Sequence, residues 1–231
     1  MNRVVEKIRR LLALGASTNA HEAAAAMAAA QRLCEEHRLE LAEIETSRGP
    51  SEKAGIDDTP VVSAGKLNAW QTKLLALLAT ANGCVALRCR RIAKPSFRLV
   101  QAMLLAGRPS NVAMTRQLYA FAEQELIRLC KHDCKGLGKA FHRSWMIGAV
   151  DGVDIQLRRA QATARVGATI TAITIVESLL DEANAALPKG TPYTKPTGAP
   201  TADLMAYTAG LRAGKSIQLQ RPPDQLPLDL K

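Results

Sequence analysis

The sequence has few aromatic residues and none of the common catalytic strings. Phe, Trp and Tyr make up only 3% of the 231 residues, which limits the surfaces on which nucleic-acid bases can stack. The histidines His21, His37 and His142 are isolated from one another, and no HExxH, CxxC or GxSxG string is present. We therefore predict no catalytic residues, and the sequence does not indicate an enzyme.

Long apolar runs are also missing. Charged residues at the N-terminus lead directly into an amphipathic pattern, and no run of 18 apolar residues occurs anywhere. We therefore expect a cytoplasmic protein with no membrane partner. The five cysteines are odd in number and lack a secretory context, which favours reduced thiols over a disulfide framework.

Positive charge is in excess, and it is concentrated in one segment. The formal net charge is +10 and the pI is about 9.7. Residues 85–143 contain 12 Lys and Arg against 3 Asp and Glu, whereas residues 1–84 contain 10 of each kind. Such a segment predicts an anionic partner. Nucleic acid is the commonest, and an acidic membrane surface or an acidic protein are the alternatives.

Two features of this segment predict anion binding. Arg88 and Arg90 alternate with apolar residues, so on a strand they share one face, which we expect to be extended near the following turn by further cations. Arg108 precedes a helix start at Pro109, where free N–H groups favour an anion. The predicted nucleic-acid-binding residues are Arg88, Arg90, Arg91, Lys94, Arg98, Arg108, Ser110 and Asn111. The plain alternative is a solvated sheet face and an ordinary helix cap.

Four cysteines are weak candidates for a zinc site. Cys84 and Cys89 have four residues between them, Cys130 and Cys134 have three, and zinc prefers a tetrahedral set of thiolate or imidazole donors. Neither spacing is the usual two-residue knuckle, so ordinary thiols are the default interpretation. We expect no cofactor, with zinc as the alternative.

Two other strings are interpreted as structural. Residues 210–216 superficially resemble a phosphate loop, but only three residues separate the glycines where the motif needs four. Small residues here more simply allow a helix to pack closely against another. The acids Asp151 and Asp154, with Glu123 and Glu125, are magnesium ligands only in principle, because acids at helical spacing are usually solvated.

Periodicity and turn residues predict mostly helices with a few strands. Apolar spacing predicts an N-terminal pair of helices, residues 2–14 and 19–37, and glycine and proline predict a linker over residues 47–66. The elements predicted after it are a helix at 67–82, strands at 84–92 and 97–106, helices at 110–130 and from about 141 to 164, a strand at 169–176, and helices at 177–187 and 202–216, with a loop at 188–200. The second of the first two strands is ambiguous, because residues 99–105 are equally compatible with a helix.

The predicted fold class is α+β and mostly helical, with an N-terminal helical hairpin followed by a small β-sheet packed with helices. The predicted organisation is a hairpin domain at 1–46, the linker at 47–66, an α+β domain at 67–216 and a Pro-rich tail at 217–231.

The N-terminal residues resemble a known family. The strings at residues 7–14, 17–19, 22–23 and 30–37 are similar to the small bacterial and phage family catalogued as domain of unknown function 2786. Trp70, Gly83-Cys84, residues 107–110, and Tyr207 with Gly210 and Gly214 look like a companion domain that often follows it. The resemblance implies a phage or prophage context and no established activity.

Two hypotheses of function follow. The first is a phage or prophage accessory protein that binds nucleic acid through the phosphate backbone, largely independently of sequence and without catalysis. The second is a protein-interaction module in which the N-terminal hairpin contacts a host or phage protein, or a second copy of the chain.

Overall fold

The computed structural model describes residues 10, 29, 32–33, 53–93, 95, 97–164, 170–189 and 203–217. The predicted N-terminal hairpin lies outside the described residues, apart from four helical positions. The predicted tail, except for Ile217, and the loop at 188–200, except for its first two residues, also lie outside them.

Three strands and five helices form the described part from residue 53 onward. In chain order they are β1 (Gly55–Ala64), α1 (Ala69–Ala81), β2 (Val85–Ala93), β3 (Arg98–Gly107), α2 (Pro109–Asp133), α3 (Lys139–Ala164), α4 (Ile170–Ala185) and α5 (Leu204–Ser216). This confirms the predicted mixture of helices with a small sheet. None of the described helices is both long enough and apolar enough to cross a membrane.

The sheet is antiparallel, with β3 in the centre and β1 and β2 at the edges. Met103 and Leu105 of β3 lie in the main core with residues of α1 and α2, and the alternating Leu104 and Ala106 are also buried. Helix α4 contacts β3 and β2, so it covers the second face at this end of the sheet. Burial on both faces explains why β3 is an unbroken apolar run that could also have been helical.

Strand β1 corrects the linker prediction for residues 55–64. It pairs with β3, but the register shifts between Asp57 and Val62. Pro60 falls in this irregular stretch. Proline has no N–H group to donate to the ladder, and an irregular edge strand is where a sheet tolerates it. Arg116 of α2 holds the irregular stretch: its Nε donates to Asp57 Oδ2 at 2.9 Å and its Nη1 donates to the Pro60 carbonyl at 3.2 Å. The division of the chain into domains stays a prediction.

Helices α3 and α5 pack with their backbones in close contact. A Cβ atom added at Gly210 or Gly214 of α5 would overlap the carbonyl oxygens of Trp145 and Ala149 of α3. A Cβ atom added at Gly148 or Gly152 of α3 would likewise overlap the backbone of α5. Residues 210–216 therefore form a helix whose glycines permit close packing, as predicted, and not a phosphate loop.

Helix α4 corrects a second prediction. The β-branched content of residues 169–176 predicts a strand, but from Ile170 onward these residues form the first part of α4. Strand propensity spans only about 1 kcal/mol and depends on context. Extending a helix that already covers the following residues adds one hydrogen bond per residue, so continuation is favoured over a separate strand.

Candidate functional site

The β2–β3 hairpin extends beyond the rest of the sheet. Strand β1 pairs with β3 only from Gln101 to Gly107. Three further pairs, Arg91 with Val100, Ile92 with Leu99 and Ala93 with Arg98, join β2 and β3 alone. We call these six residues, together with Pro95 and Phe97 of the turn, the hairpin end. It is a two-stranded ribbon about 10 Å long, at roughly 3.3 Å per residue, followed by its turn.

Four exposed arginines lie on or next to the hairpin end. Arg88, Arg90, Arg91 and Arg98 are all exposed, and neither β2 nor β3 contains an acidic residue. Such a concentration of guanidinium groups without carboxylates creates a local positive potential.

The four arginines are divided between the two faces of the ribbon. Arg88 and Arg90 share one face, as predicted. Arg91 is adjacent to Arg90 in the strand, and Arg98 pairs with Ala93, so both point to the opposite face. The expectation that Arg91 and Arg98 extend the face of Arg88 and Arg90 is therefore wrong. Lys94, the other predicted cation of the turn, lies outside the described residues.

Two of these arginines have partners within the sheet. Arg88 Nη2 donates to Gln101 Oε1 at 2.7 Å, and the same oxygen accepts the backbone N–H of Leu67 at 3.2 Å. Arg91 Nη1 donates to the Asp58 carbonyl oxygen. The side chains of Arg90 and Arg98 make no hydrogen bond or ion pair with the described part of the chain, so their guanidinium groups are the best placed to meet an external anion.

The predicted residues at the start of α2 lie far from the hairpin end. Arg98 and Gly107 are at opposite ends of β3, roughly 30 Å apart at about 3.3 Å per residue. Arg108 is only 7% exposed, and its Nε and Nη2 donate to the two carboxylate oxygens of Glu182 at 2.9 and 2.8 Å. Ser110 is half-buried and Asn111 is buried. The structure therefore does not bring Arg108, Ser110 and Asn111 onto the surface of the other predicted residues.

The cysteines are separated into different environments. Cys130 and Cys134 are close, with their sulfur atoms 3.6 Å apart. Cys84 is buried beside Thr115, and Cys89 is half-buried on β2. Among the residues that the structure describes, no three His, Cys, Asp or Glu side chains are grouped to hold a metal ion. The four cysteines of the zinc hypothesis do not come together.

The pKa values of the Cys130 and Cys134 thiols are both raised. Burial raises the pKa of Cys130, and burial together with the hydrogen bond and charge of Cys130 raises the pKa of Cys134 to about 12. A thiolate is the nucleophile and the metal ligand, and a raised pKa lowers the fraction of thiolate at neutral pH.

The acidic residues considered as magnesium ligands are all engaged elsewhere. Asp151 bridges Lys73 of α1 and Tyr207 of α5, and its Oδ2 accepts the Tyr207 hydroxyl at 3.0 Å. Glu123 accepts from Gln71 and Tyr119, and Glu125 and Asp154 pair with arginines one helical turn away. These carboxylates join helices and stabilise helix surfaces.

Sequence reasoning missed the apolar residues of the hairpin end. Ile92, Phe97 and Leu99 are largely exposed there. The available signal was an aromatic residue, Phe97, inside a turn, where small and polar residues usually predominate.

One comparison with known proteins gave a match. Residues 3–41 match the sequence model of a family described as "Protein of unknown function (DUF2786)", which confirms the resemblance of these residues to that family. Nearly all of the matched segment lies outside the described residues. No curated protein and no solved structure matches the chain. The resemblance of later residues to a companion domain stays a prediction.

Proposed function

We propose that this chain binds nucleic acid through the phosphate backbone, without catalysis, and that the exposed arginines of the β2–β3 hairpin make the contacts. The observation that carries the proposal is the placement of Arg88, Arg90, Arg91 and Arg98 on strands that contain no acidic residue. We expect Arg90 and Arg98 to make the main contacts, because no side chain in the described part of the chain neutralises their charge.

The chemistry of the arginine side chain suits this partner. A guanidinium group presents a planar fork of N–H donors that matches the oxygens of a phosphate and remains charged at any physiological pH. Each phosphate that is neutralised releases counterions, so the affinity falls steeply as salt rises. Backbone contacts position a protein but carry no direct sequence information, so the proposed binding is largely independent of sequence.

Charge reversal at the hairpin tests the proposal. The double variant Arg90→Glu/Arg98→Glu should bind a labelled 20-base-pair duplex roughly tenfold or more weakly than the unchanged chain, because two attractive interactions with phosphates become repulsive. Fluorescence anisotropy across a salt series measures this. The slope of log affinity against log salt should become shallower by about one for each phosphate that the variant no longer neutralises.

Arg212→Glu is the matched control. Arg212 is exposed on α5 and undergoes the same change of charge on a different surface. It should weaken binding much less per residue than either hairpin substitution. Equal losses of affinity from the hairpin and from Arg212 would show that net charge alone attracts the nucleic acid, and the assignment to the hairpin would be abandoned.

A further inference from the structure

We infer that the hairpin end enters a groove of double-helical DNA and that Phe97, with Ile92 and Leu99, packs as an apolar wedge against a base step. This inference rests on the proposed function and deepens it. It names duplex DNA as the ligand, and bases as well as phosphates as the groups contacted.

The first observation is an exposed apolar group at the very end of the ribbon. Ile92 is 64% exposed, Phe97 76% and Leu99 63%. Ile92 and Leu99 are cross-strand partners, so their side chains lie side by side on one face, and Phe97 follows in the turn. Apolar side chains grouped in this way on a surface indicate a contact with another molecule.

The second observation is backbone strain at the same position. Phe97 has a φ of +50°, in the left-handed region that glycine and asparagine occupy easily and that a bulky side chain avoids. It is the last residue of the connection between Ala93 and Arg98, where glycine would remove the strain. Neither burial nor local conformation explains an aromatic residue here, and strained exposed residues are characteristic of binding sites.

The third observation is the distribution of charge around the apolar group. Arg88 and Arg90 lie on one face of the ribbon, and Arg91 and Arg98 on the other. A ribbon with cations on both faces complements a groove, because a groove has a phosphate backbone along each wall. A single strand or a flat anionic surface would meet only one face at a time.

The dimensions of the hairpin end agree with this ligand. It extends past β1 by three residue pairs, about 10 Å, and the grooves of B-form DNA are about 8 Å deep. Apolar residues such as Phe, Leu and Ile are the side chains that proteins insert between base steps when they kink DNA. A-form RNA fits less well, since its major groove is narrow and its minor groove is shallow.

The inference predicts a preference for DNA that is already easy to unstack. A duplex with a two-base bulge should bind the full chain about tenfold more tightly than the same duplex without it, because insertion no longer has to disrupt stacking. Phe97→Gly should remove this preference and leave the salt dependence unchanged. Phe97→Trp should retain the preference, because it keeps an aromatic ring.

Stability measurements separate loss of the wedge from loss of the fold. Phe97→Gly should leave the thermal midpoint unchanged or raise it, because glycine is unstrained at a positive φ and little packing is removed. Met205→Asn is the matched control, since Met205 is another exposed apolar side chain, 82% exposed, on α5. It should alter neither binding nor the preference for the bulge.

The outcomes distinguish this inference from the proposed function. Binding to the perfect and bulged duplexes with equal affinity, or a preference that survives in Phe97→Gly, would overturn the wedge and leave phosphate binding intact. Binding to single-stranded DNA or RNA but to no DNA duplex would overturn the wedge alone, and no binding to any of these nucleic acids would overturn both. If only vesicles of anionic phospholipid bind, and this binding is abolished in Phe97→Gly, the hairpin end contacts a lipid surface and the assignment to DNA is wrong.

Discussion

At the scale of single residues, the ion pair between Asp57 and Arg116 joins the irregular stretch of β1 to α2. Burial favours the protonated carboxyl, but the hydrogen bonds from Thr59 and Arg116 and the charge of Arg116 outweigh it, so the pKa of Asp57 is lowered from its ordinary value of 3.8. A group whose pKa is lower in the folded state stabilises the fold above its unfolded pKa. That contribution is lost as the pH falls below about 4.

Asp57→Asn should therefore lower the free energy of unfolding at pH 7 by roughly 0.2 to 1 kcal/mol, the usual range for ion pairs at a protein surface. At pH 3 the difference from the unchanged chain should shrink, because the carboxyl is then increasingly protonated in both states of the unchanged chain. Urea unfolding at the two pH values measures this. Asp58→Asn makes the same change of charge at an exposed neighbour and should show no such pH-dependent loss; a loss of equal size would assign the effect to net charge.

At the scale of elements, the contact between α3 and α5 depends on glycine. Gly210→Ala would improve intrinsic helix propensity by about 1 kcal/mol, yet its new methyl group would overlap the Trp145 carbonyl. Backbone cannot move aside as a flexible side chain can, so we expect a net loss of about 3 kcal/mol in the free energy of unfolding. Thermal and urea unfolding measure it. Gly138→Ala, where the added methyl group meets open space, should be nearly neutral; similar losses in both variants would mean that close packing is not the cause.

Elements whose signal is local could be predicted from the sequence, and elements defined by distant partners could not. Helices α1, α2, α3 and α5 and strand β2 carry their own periodicity and turn residues, whereas the apolar run of β3 is compatible with a strand or a helix. Strand β1 lacks such a signal, because it is stabilised by pairing with β3 and by the hydrogen bond from Arg116 to Asp57. Both contacts join residues that are far apart in the chain. The residues at the start of α4 have the local propensity of a strand, but they continue the helix that the following residues form.

The same distinction applies to the candidate site. The shared face of Arg88 and Arg90 follows from strand alternation, and the same rule already places Arg91 on the other side. Burial of Arg108 could not be foreseen, because its partner Glu182 lies 74 residues away. The exposure of Phe97 depends on the pairing of β1 ending at Gln101, which the sequence does not indicate.

At the scale of the whole molecule, the buried part of β3 and the proposed binding surface lie at opposite ends of the sheet. Ala102, Leu105 and Ala106 of β3 are fully buried between helices, whereas Arg98 and Leu99 are exposed in the two-stranded hairpin end. Regions with few buried contacts open locally at a lower free energy than the core.

Amide hydrogen exchange should therefore be graded along β3. Residues 102–106 should exchange only through global unfolding, and residues 98–100 should exchange faster by roughly tenfold or more. Mass spectrometry of overlapping peptides from the full chain measures both segments. Phe97→Gly should leave the exchange rates of residues 102–106 unchanged, because the hairpin end adds nothing to the core. Equal protection along β3 would mean that the hairpin end belongs to the same cooperative unit as the core, so that substitutions in it could not be interpreted as effects on binding alone.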